Sequence, residues 1–480
     1  MIDQAKMPLY EALLLHKKRK PSSFHVPGHK SGFLYKTLDI DPTFYQFLTY
    51  DVTELSGLDD LFAPKGAIAE AQTLLTTYYE TRASFFLVNG TTVGNLTMVL
   101  AVCSPGDVIF VQRNCHQSII HACMLAKVKP VFLSPEMDNE FGVPNQIDLR
   151  VVKEAFKRYP QAKACVFTYP NYYGMTYQLK QIIEYAHENN LVVLVDEAHG
   201  PHFKLGEPFP PSAIDLGADI IVQSAHKILP AMTMGSYLHI NSKAVSIEKV
   251  TRYLSMLQSS SPSYPIMATL DISRHFLAHF TTADIMHTIE ERNKFIKKLK
   301  KISEIKIKQK QDPLKISLTH KKMSGYQLQT ILESVGIYPE LADPYQVLLI
   351  WPLLKKGQRY PFEEIVICLQ NTLAVTTVDQ STCMQSFIED KIKSHPITVL
   401  AYSYDEMEQK NIEWIDINEA EKRIAAKMII PYPPGIPLLM TGEKISKKHI
   451  DQLNYLRQLN ARFQENHPLF QEGKIAVFTK

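Results

Sequence analysis

The sequence predicts an α/β protein, with a mainly parallel sheet covered by helices and a smaller α+β C-terminal domain. Three observations carry this expectation. From about residue 84, short apolar runs alternate with longer amphipathic ones, as strands of a parallel sheet alternate with crossover helices. Several of the short runs are continuously apolar, which suits strands covered on both faces. The chain has 480 residues, too many for one ordinary core at roughly 150 residues per domain.

Residues 1–65 read as an N-terminal arm. It holds one short helix, expected over 9–18, and then a loop-rich stretch with Pro27-Gly28-His29-Lys30 and Gly57-Leu58-Asp59-Asp60. Residues 66–311 form the expected large domain, with strands at 84–88, 107–112, 130–134, 164–169, 191–196, 219–223 and 236–240. Helical patterns fall between them at 116–126, 149–159 and 179–190. A later helix carries Lys294, Lys297, Lys298, Lys300 and Lys301. The stripe Phe295, Ile296, Leu299 and Ile302 makes those lysines its solvated face. Asp312-Pro313 interrupts the helix, and 312–480 is the C-terminal domain, with a strand near 347–351 and the cluster Pro431-Tyr432-Pro433-Pro434-Gly435.

Composition excludes several classes. With 45% hydrophobic residues and a formal charge of +3, the chain is globular, and its overall field favours neither nucleic acid nor an anionic membrane. No apolar run approaches the roughly 18 residues of a membrane span, and the N-terminus lacks a signal-peptide pattern. Cys103, Cys115, Cys123, Cys165, Cys368 and Cys383 lack the paired spacing of a zinc site or a disulfide scaffold, so reduced thiols in a cytoplasmic enzyme are expected.

The chemistry centres on two strand ends. Asp196 closes a continuous apolar strand, so its carboxylate points into the crevice at the carboxyl edge of the sheet. Lys227 follows the next strand in Ser224-Ala225-His226-Lys227. An amine that can hold an aldehyde as a Schiff base, paired with an acid for a pyridine nitrogen, points to pyridoxal 5'-phosphate. Asn89-Gly90-Thr91-Thr92-Val93-Gly94 lies between a strand and a helix, where free N–H groups and hydroxyls can hold a phosphate, although threonine-capped turns are common without one. Ser224 and His226 can donate to the same phosphate. His116 could stack on a flat ring or simply cap its helix. Lys30 also follows a histidine but lacks the preceding strand and upstream aspartate. Asp196-Glu197-Ala198-His199 spells a helicase motif, yet no glycine-lysine pair is followed by serine or threonine, as a nucleotide-phosphate loop requires.

Taken together, these segments resemble the Orn/Lys/Arg decarboxylases, pyridoxal-phosphate enzymes with the aspartate-aminotransferase fold (fold type I). The resemblance rests on Ser23-Phe24-His25-Val26-Pro27-Gly28-His29-Lys30, Leu58-Asp59-Asp60-Leu61, Asn89-Gly90-Thr91-Thr92, Arg113-Asn114-Cys115-His116, Asp196-Glu197-Ala198-His199-Gly200, Ser224-Ala225-His226-Lys227 and the proline cluster continued by Ile436-Pro437. It implies a short form without the N-terminal wing domain. It further implies that Lys227 carries the cofactor, Asp196 pairs with its ring nitrogen and His116 stacks on the ring. Gly90, Thr91, Thr92, His199, Ser224 and His226 complete the cofactor site, with His226 and Lys227 as candidate proton donors. The implied reaction is decarboxylation of arginine, lysine or ornithine, with Glu340 or, second, Asp343 receiving the distal cation. A homodimer or higher homo-oligomer with shared active sites is implied, since the segment Ser259-Ser260-Ser261-Pro262-Ser263-Tyr264 reaches a neighbour's cofactor in the family. Here Gln258 precedes the serines. Alternatives are another reaction on the same fold (lyase, aldolase or aminotransferase) and a non-catalytic relative acting by protein binding.

Overall fold

The computed structural model describes residues 3–138, 140–375, 396–431, 435–464 and 467–479. Cys383, Tyr432, Pro433 and Pro434 lie outside them. The chain divides into two compact units, one built from residues 1–102 and 192–281 and the other from 103–191 and 282–480.

In the first unit, four strands lie in the order Ala83–Leu87, Ser236–Ile240, Ile220–Gln223, Val192–Asp196. Valine, isoleucine, leucine and phenylalanine dominate them, residues that suit a pleated surface, and most are buried. Val192–Asp196 and Ile220–Gln223 run parallel, with Asp196 opposite Val222. Ser236–Ile240 runs antiparallel to both neighbours. The helix Gly90–Val102 lies so close to this sheet that a Cβ on Gly94 would sit 2.4 Å from Val222 Cγ1 and 2.9 Å from Leu87 Cδ1. Only glycine permits that approach. The helix Ala67–Tyr79 starts where the Asp59 carboxylate accepts the N–H groups of Lys65, Gly66, Ile68 and Ala69 at 2.8–3.1 Å, which satisfies donors that a helix start leaves unpaired.

The N-terminal helix Pro8–Lys18 is fastened by a buried ion pair on the helix Tyr264–Ala278. Asp271 and Arg274 are fully buried and 2.6 Å apart. Asp271 also accepts the Leu9 N–H at 3.0 Å, and Arg274 donates to the carbonyls of Gln4 and Lys6 at 2.7 and 2.5 Å. Beyond this helix the arm leaves Phe24, Phe33, Leu34, Phe44 and Phe47 exposed.

In the second unit, Ala164–Thr168, Val108–Gln112 and Lys129–Leu133 run parallel, and Ile397–Val399 adds an antiparallel edge. Gln117–Leu125, Leu149–Arg158 and Leu179–Glu188 supply its helices. A separate antiparallel sheet orders Ile305–Lys308, Lys315–His320, Val347–Ile350 and Leu341–Ala342. Toward the C-terminus, Ile412–Asp416 pairs with Lys474–Phe478 over a core that includes Ile417, Leu439, Ile450 and Phe470. Capping boxes at Ser324/Gln327, Ser403/Glu406 and Ser446/His449 start three of this unit's helices.

The seven expected large-domain strands form within one residue of their anticipated limits. The helix Thr282–Leu299 buries Phe295, Ile296 and Leu299 while Lys294 and Lys297 stay exposed. Strand direction was not written in the apolar runs: the antiparallel course of Ser236–Ile240 depends on connection and pairing, which local pattern does not encode. Cys103, Cys115, Cys123 and Cys165 are buried free thiols. No helix among the described residues is long and apolar enough to cross a membrane.

Arg274→Ala would leave the Asp271 carboxylate buried without its counter-charge. It is expected to lower stability by about 3–5 kcal/mol, read from the urea midpoint, and to open the segment before Pro8 to protease. An unchanged midpoint would show that the pair does not hold this helix.

Candidate active site

Strand register determines which side chains meet at the edge of the first unit's sheet. Val222 faces the helix Gly90–Val102, and Asp196, its partner in the ladder, faces the same way. Asp196 Oδ2 accepts a hydrogen bond from Asn95 Nδ2 at 2.9 Å, and Oδ1 accepts the Ala198 N–H at 3.2 Å. Asp196 is 3% exposed, so its carboxylate is taken out of water and held by fixed donors. Asn95 lies one helical turn beyond Thr91.

Gly90, with φ +79°, opens this helix, and Thr92 is exposed beside it. Thr91 Oγ1 is hydrogen-bonded to Ser224 Oγ and lies 3.1 Å from Ser236 Oγ. Three buried hydroxyls thus cluster at a helix N-terminus, a setting that favours an anion. The short 3-10 turn Ala225–Lys227 then carries the lysine, whose Nζ is 3.0 Å from His199 Nε2. His226 Nδ1 donates to the Gly235 carbonyl at 3.0 Å, as does its backbone N–H at 3.1 Å. Lys30 Nζ is engaged by the His25 carbonyl at 2.5 Å. The serine segment is held beside the residues that lead into Gly90: Gln258 Oε1 accepts the Val88 N–H at 2.8 Å, Asn89 Oδ1 accepts that of Ser259 at 3.2 Å, and Ser259, Ser260 and Ser261 are exposed.

Glu197 points to the opposite face from Asp196. It is completely buried, accepting from Ser212 Oγ at 2.8 Å, Ala213 N–H at 2.6 Å and Gln223 Nε2 at 2.6 Å. Gln223 Oε1 continues to His239 Nε2 at 3.2 Å, and His239 Nδ1 to Ser84 Oγ at 2.8 Å. Burial pushes the Glu197 carboxyl up to about 8, with its three hydrogen bonds opposing the shift. It also pushes His239 down to about 3, so this imidazole is neutral.

His116, Glu340 and Asp343 belong to the second unit. His116 caps the helix Gln117–Leu125: its Nδ1 accepts the Ser118 N–H at 3.2 Å and lies 2.8 Å from Ser118 Oγ. The imidazole remains half-buried. Glu340 Oε1 accepts from Tyr172 OH at 2.7 Å. Asp343 accepts four hydrogen bonds, from Tyr173 OH, Gln346 Nε2 and the N–H groups of Tyr345 and Gln346, at 2.6–3.0 Å. Burial raises its pKa.

Sequence reasoning missed Asn95, Ser236 and the tyrosine partners. The spacing from Thr91 to Asn95 was a usable signal; Ser236 and Tyr172 gave none, because their partners are distant in sequence. The donor set of the first unit suits pyridoxal 5'-phosphate: an amine, a buried acid, and hydroxyls at a helix start.

Residues 7–321 match the family model described as Orn/Lys/Arg decarboxylase, major domain, and residues 382–474 match that family's C-terminal domain. The chain belongs to the Orn/Lys/Arg decarboxylase family. It is 47% identical over 480 residues to the uncharacterized protein YaaO of Bacillus subtilis (strain 168), covering 98% of both chains. It is 35% identical to an arginine decarboxylase of the same organism, covering 94% of each. Its fold is similar to the crystal structure of the Francisella novicida lysine decarboxylase LdcF, with TM-score 0.81 and 21% identity over 98% of this chain and 80% of that one. Family membership thus carries the expected fold class, aspartate-aminotransferase-like, with the smaller C-terminal domain.

Glu197 gives this family member a pH signature. A carboxyl whose folded pKa lies above its unfolded value contributes stability at low pH and loses it as pH rises through the folded value. The Glu197 contribution should therefore fall between about pH 4.5 and 8, while that of His239, whose folded pKa lies below its unfolded one, rises up to about pH 6.5, so in thermal melts Glu197→Gln should fall less, or rise more, with pH than wild type. Parallel curves for the two proteins would remove Glu197 as the cause.

Proposed function

We propose that this chain is a pyridoxal-phosphate-dependent decarboxylase of a basic amino acid, releasing carbon dioxide and the corresponding amine. The observation that carries the reading is three hydrogen-bonded sets in the first unit: Lys227 beside His199, Asp196 held by Asn95, and the hydroxyls of Thr91, Ser224 and Ser236 at a helix N-terminus. When bound, the cofactor supplies the electron sink for the pair left on the α-carbon as carbon dioxide departs.

Each protein group then has a defined task. Lys227 Nζ attaches the cofactor, and His199 Nε2 exchanges protons with that amine at 3.0 Å. Asp196 would hold the pyridine nitrogen of the cofactor in its protonated form, an interaction worth about 1.5–3 kcal/mol as a charge-assisted hydrogen bond. Thr91, Ser224 and Ser236, with the N–H groups opening at Gly90, would hold the phosphate, together with Thr92 and His226. His116 would stack on the ring. Lys227 or His226 returns a proton to the α-carbon, so the net reaction consumes one proton. Glu340 receives the distal cation, because Asp343 already spends both oxygens on four donors. The cofactor residues all fall within 66–311, the domain expected to bind it, and Glu340 falls within 312–480.

Arginine is the first substrate to test, since relatives 35% and 34% identical are named arginine decarboxylases. The buried free thiols fit a reducing compartment, the cytoplasm. The exposed Phe24, Phe33, Phe44 and Phe47 suit burial in a homodimer, and sedimentation should give at least twice the chain mass of 54.7 kDa. A monomer at micromolar concentration would remove the arm from that role.

Purified protein with added pyridoxal 5'-phosphate should release labelled carbon dioxide from carboxyl-labelled arginine, with lysine and ornithine in parallel. Lys227→Ala should keep its fold but lose the bound cofactor's absorbance and at least 1,000-fold of the rate, by the order of magnitude expected for an activated nucleophile. Release from none of the three, with a normal cofactor spectrum, would move the assignment to another reaction on this fold.

A further inference from the structure

The turn that carries His116 is tied on both sides to one distant segment. Arg113, three residues before the histidine, directs its guanidinium at residues 437–443: Nη2 to Glu443 Oε2 at 2.7 Å, Nε to Glu443 Oε1 at 3.3 Å, Nη1 to the Pro437 carbonyl at 2.8 Å and Nη2 to the Leu438 carbonyl at 3.2 Å. Gln117, one residue after it, donates its N–H to the Gly435 carbonyl at 3.2 Å. The far side is itself braced, since Glu443 Oε2 also accepts the Met440 N–H at 2.9 Å. Both charged side chains are about 15% exposed, 15% and 14%, so water screens the pair little. A planar fork with four engaged bonds fixes direction as well as distance, which a lysine does not do.

The same turn is anchored from the strand side. The Arg113 N–H extends the ladder to the Leu133 carbonyl at 2.8 Å, and Gln112 Nε2 holds Asn114 Oδ1 at 2.9 Å. His116 therefore sits between a rigid strand end and a segment more than 300 residues away in sequence. Arg113 lies in the major-domain match and Glu443 in the C-terminal-domain match.

We infer that Arg113 and Glu443 are positioning residues for His116, through which the C-terminal segment 435–443 sets the orientation of the imidazole over the cofactor ring. The inference rests on the proposed role of His116.

Arg113→Lys and Glu443→Gln, made in the full chain and loaded with pyridoxal 5'-phosphate, test this beside wild type and His116→Ala. Each clamp variant is expected to reduce visible circular dichroism of the bound cofactor and to lower kcat about tenfold, as a small misplacement does. KM should stay within about twofold and the melting temperature within a few degrees, with His116→Ala showing the same signature more strongly. Wild-type dichroism and kcat in both folded clamp variants, with an effect in His116→Ala, would overturn the clamp alone. An unaltered His116→Ala would overturn the role of the histidine and the clamp with it. Loss of folding in both clamp variants with normal dichroism in whatever folded fraction remains would assign the pair to stability and also overturn the inference.

Discussion

A carboxylate at the end of a fully apolar strand must find donors or lose its charge. Asp196 is that carboxylate. Its strand supplies only valine and leucine before it, so the donors come from elsewhere: Asn95 from the helix packed against the sheet, and the N–H of Ala198 just beyond the strand. Asn95 can reach because Gly94 has no side chain, which lets the helix settle on Val222 and Leu87. The same helix opens at Gly90 and brings Thr91 to Ser224 and Ser236. Placement of the acid, the hydroxyl cluster and the lysine turn therefore follows from one close helix-to-sheet contact.

The pleat assigns the next residue a different fate. Asp196 is registered with Val222, so Glu197 shares the face of Gln223. His239 pairs with Ile221, two residues from Gln223, and Ser84 pairs with His239, so the same face carries Ser84, His239, Gln223 and Glu197 in sequence across the strands. They form a continuous hydrogen-bonded row in which every member is buried. Neutral histidine and a carboxyl with a raised pKa let that row avoid a buried net charge. Two adjacent acids in Asp196-Glu197 thus diverge, one held as an acceptor at the sheet edge and the other sealed beneath the loop that carries His199.

The strands, the lysine-bearing turn and the Asp196 strand end were legible because each is local: an apolar run, a length, a polar residue at its end. The hydroxyl of Ser236 was not, since it joins Thr91 only after Ser236–Ile240 inserts antiparallel beside Ile220–Gln223. The Glu197 row escaped for the same reason, being a product of register across four strands. Asn95 lay between these cases; helical spacing from Thr91 put it on the right face, but only the closeness allowed by Gly94 brings it to Asp196. Gly57-Leu58-Asp59-Asp60, noted as a motif, resolves into a helix start, where Asp59 satisfies four N–H groups. A motif read from sequence alone does not separate scaffold from chemistry.

Glu340 and Asp343 show how local hydrogen bonding divides two acids that sequence treats as equivalent. They meet consecutive tyrosines, Tyr172 and Tyr173. Asp343 Oδ1 is taken by two backbone N–H groups and Oδ2 by a phenol and an amide, which makes it the organiser of the turn before Val347–Ile350. A cation arriving there would have to displace donors already in place, at a net cost of about 0.5–1.5 kcal/mol for each hydrogen bond lost. Glu340 is half-buried and accepts one phenol through Oε1, so Oε2 can receive a guanidinium or ammonium without dismantling the fold. Of the two acids, Glu340 is therefore the one that can take a cation, with Tyr172 fixing which oxygen it presents.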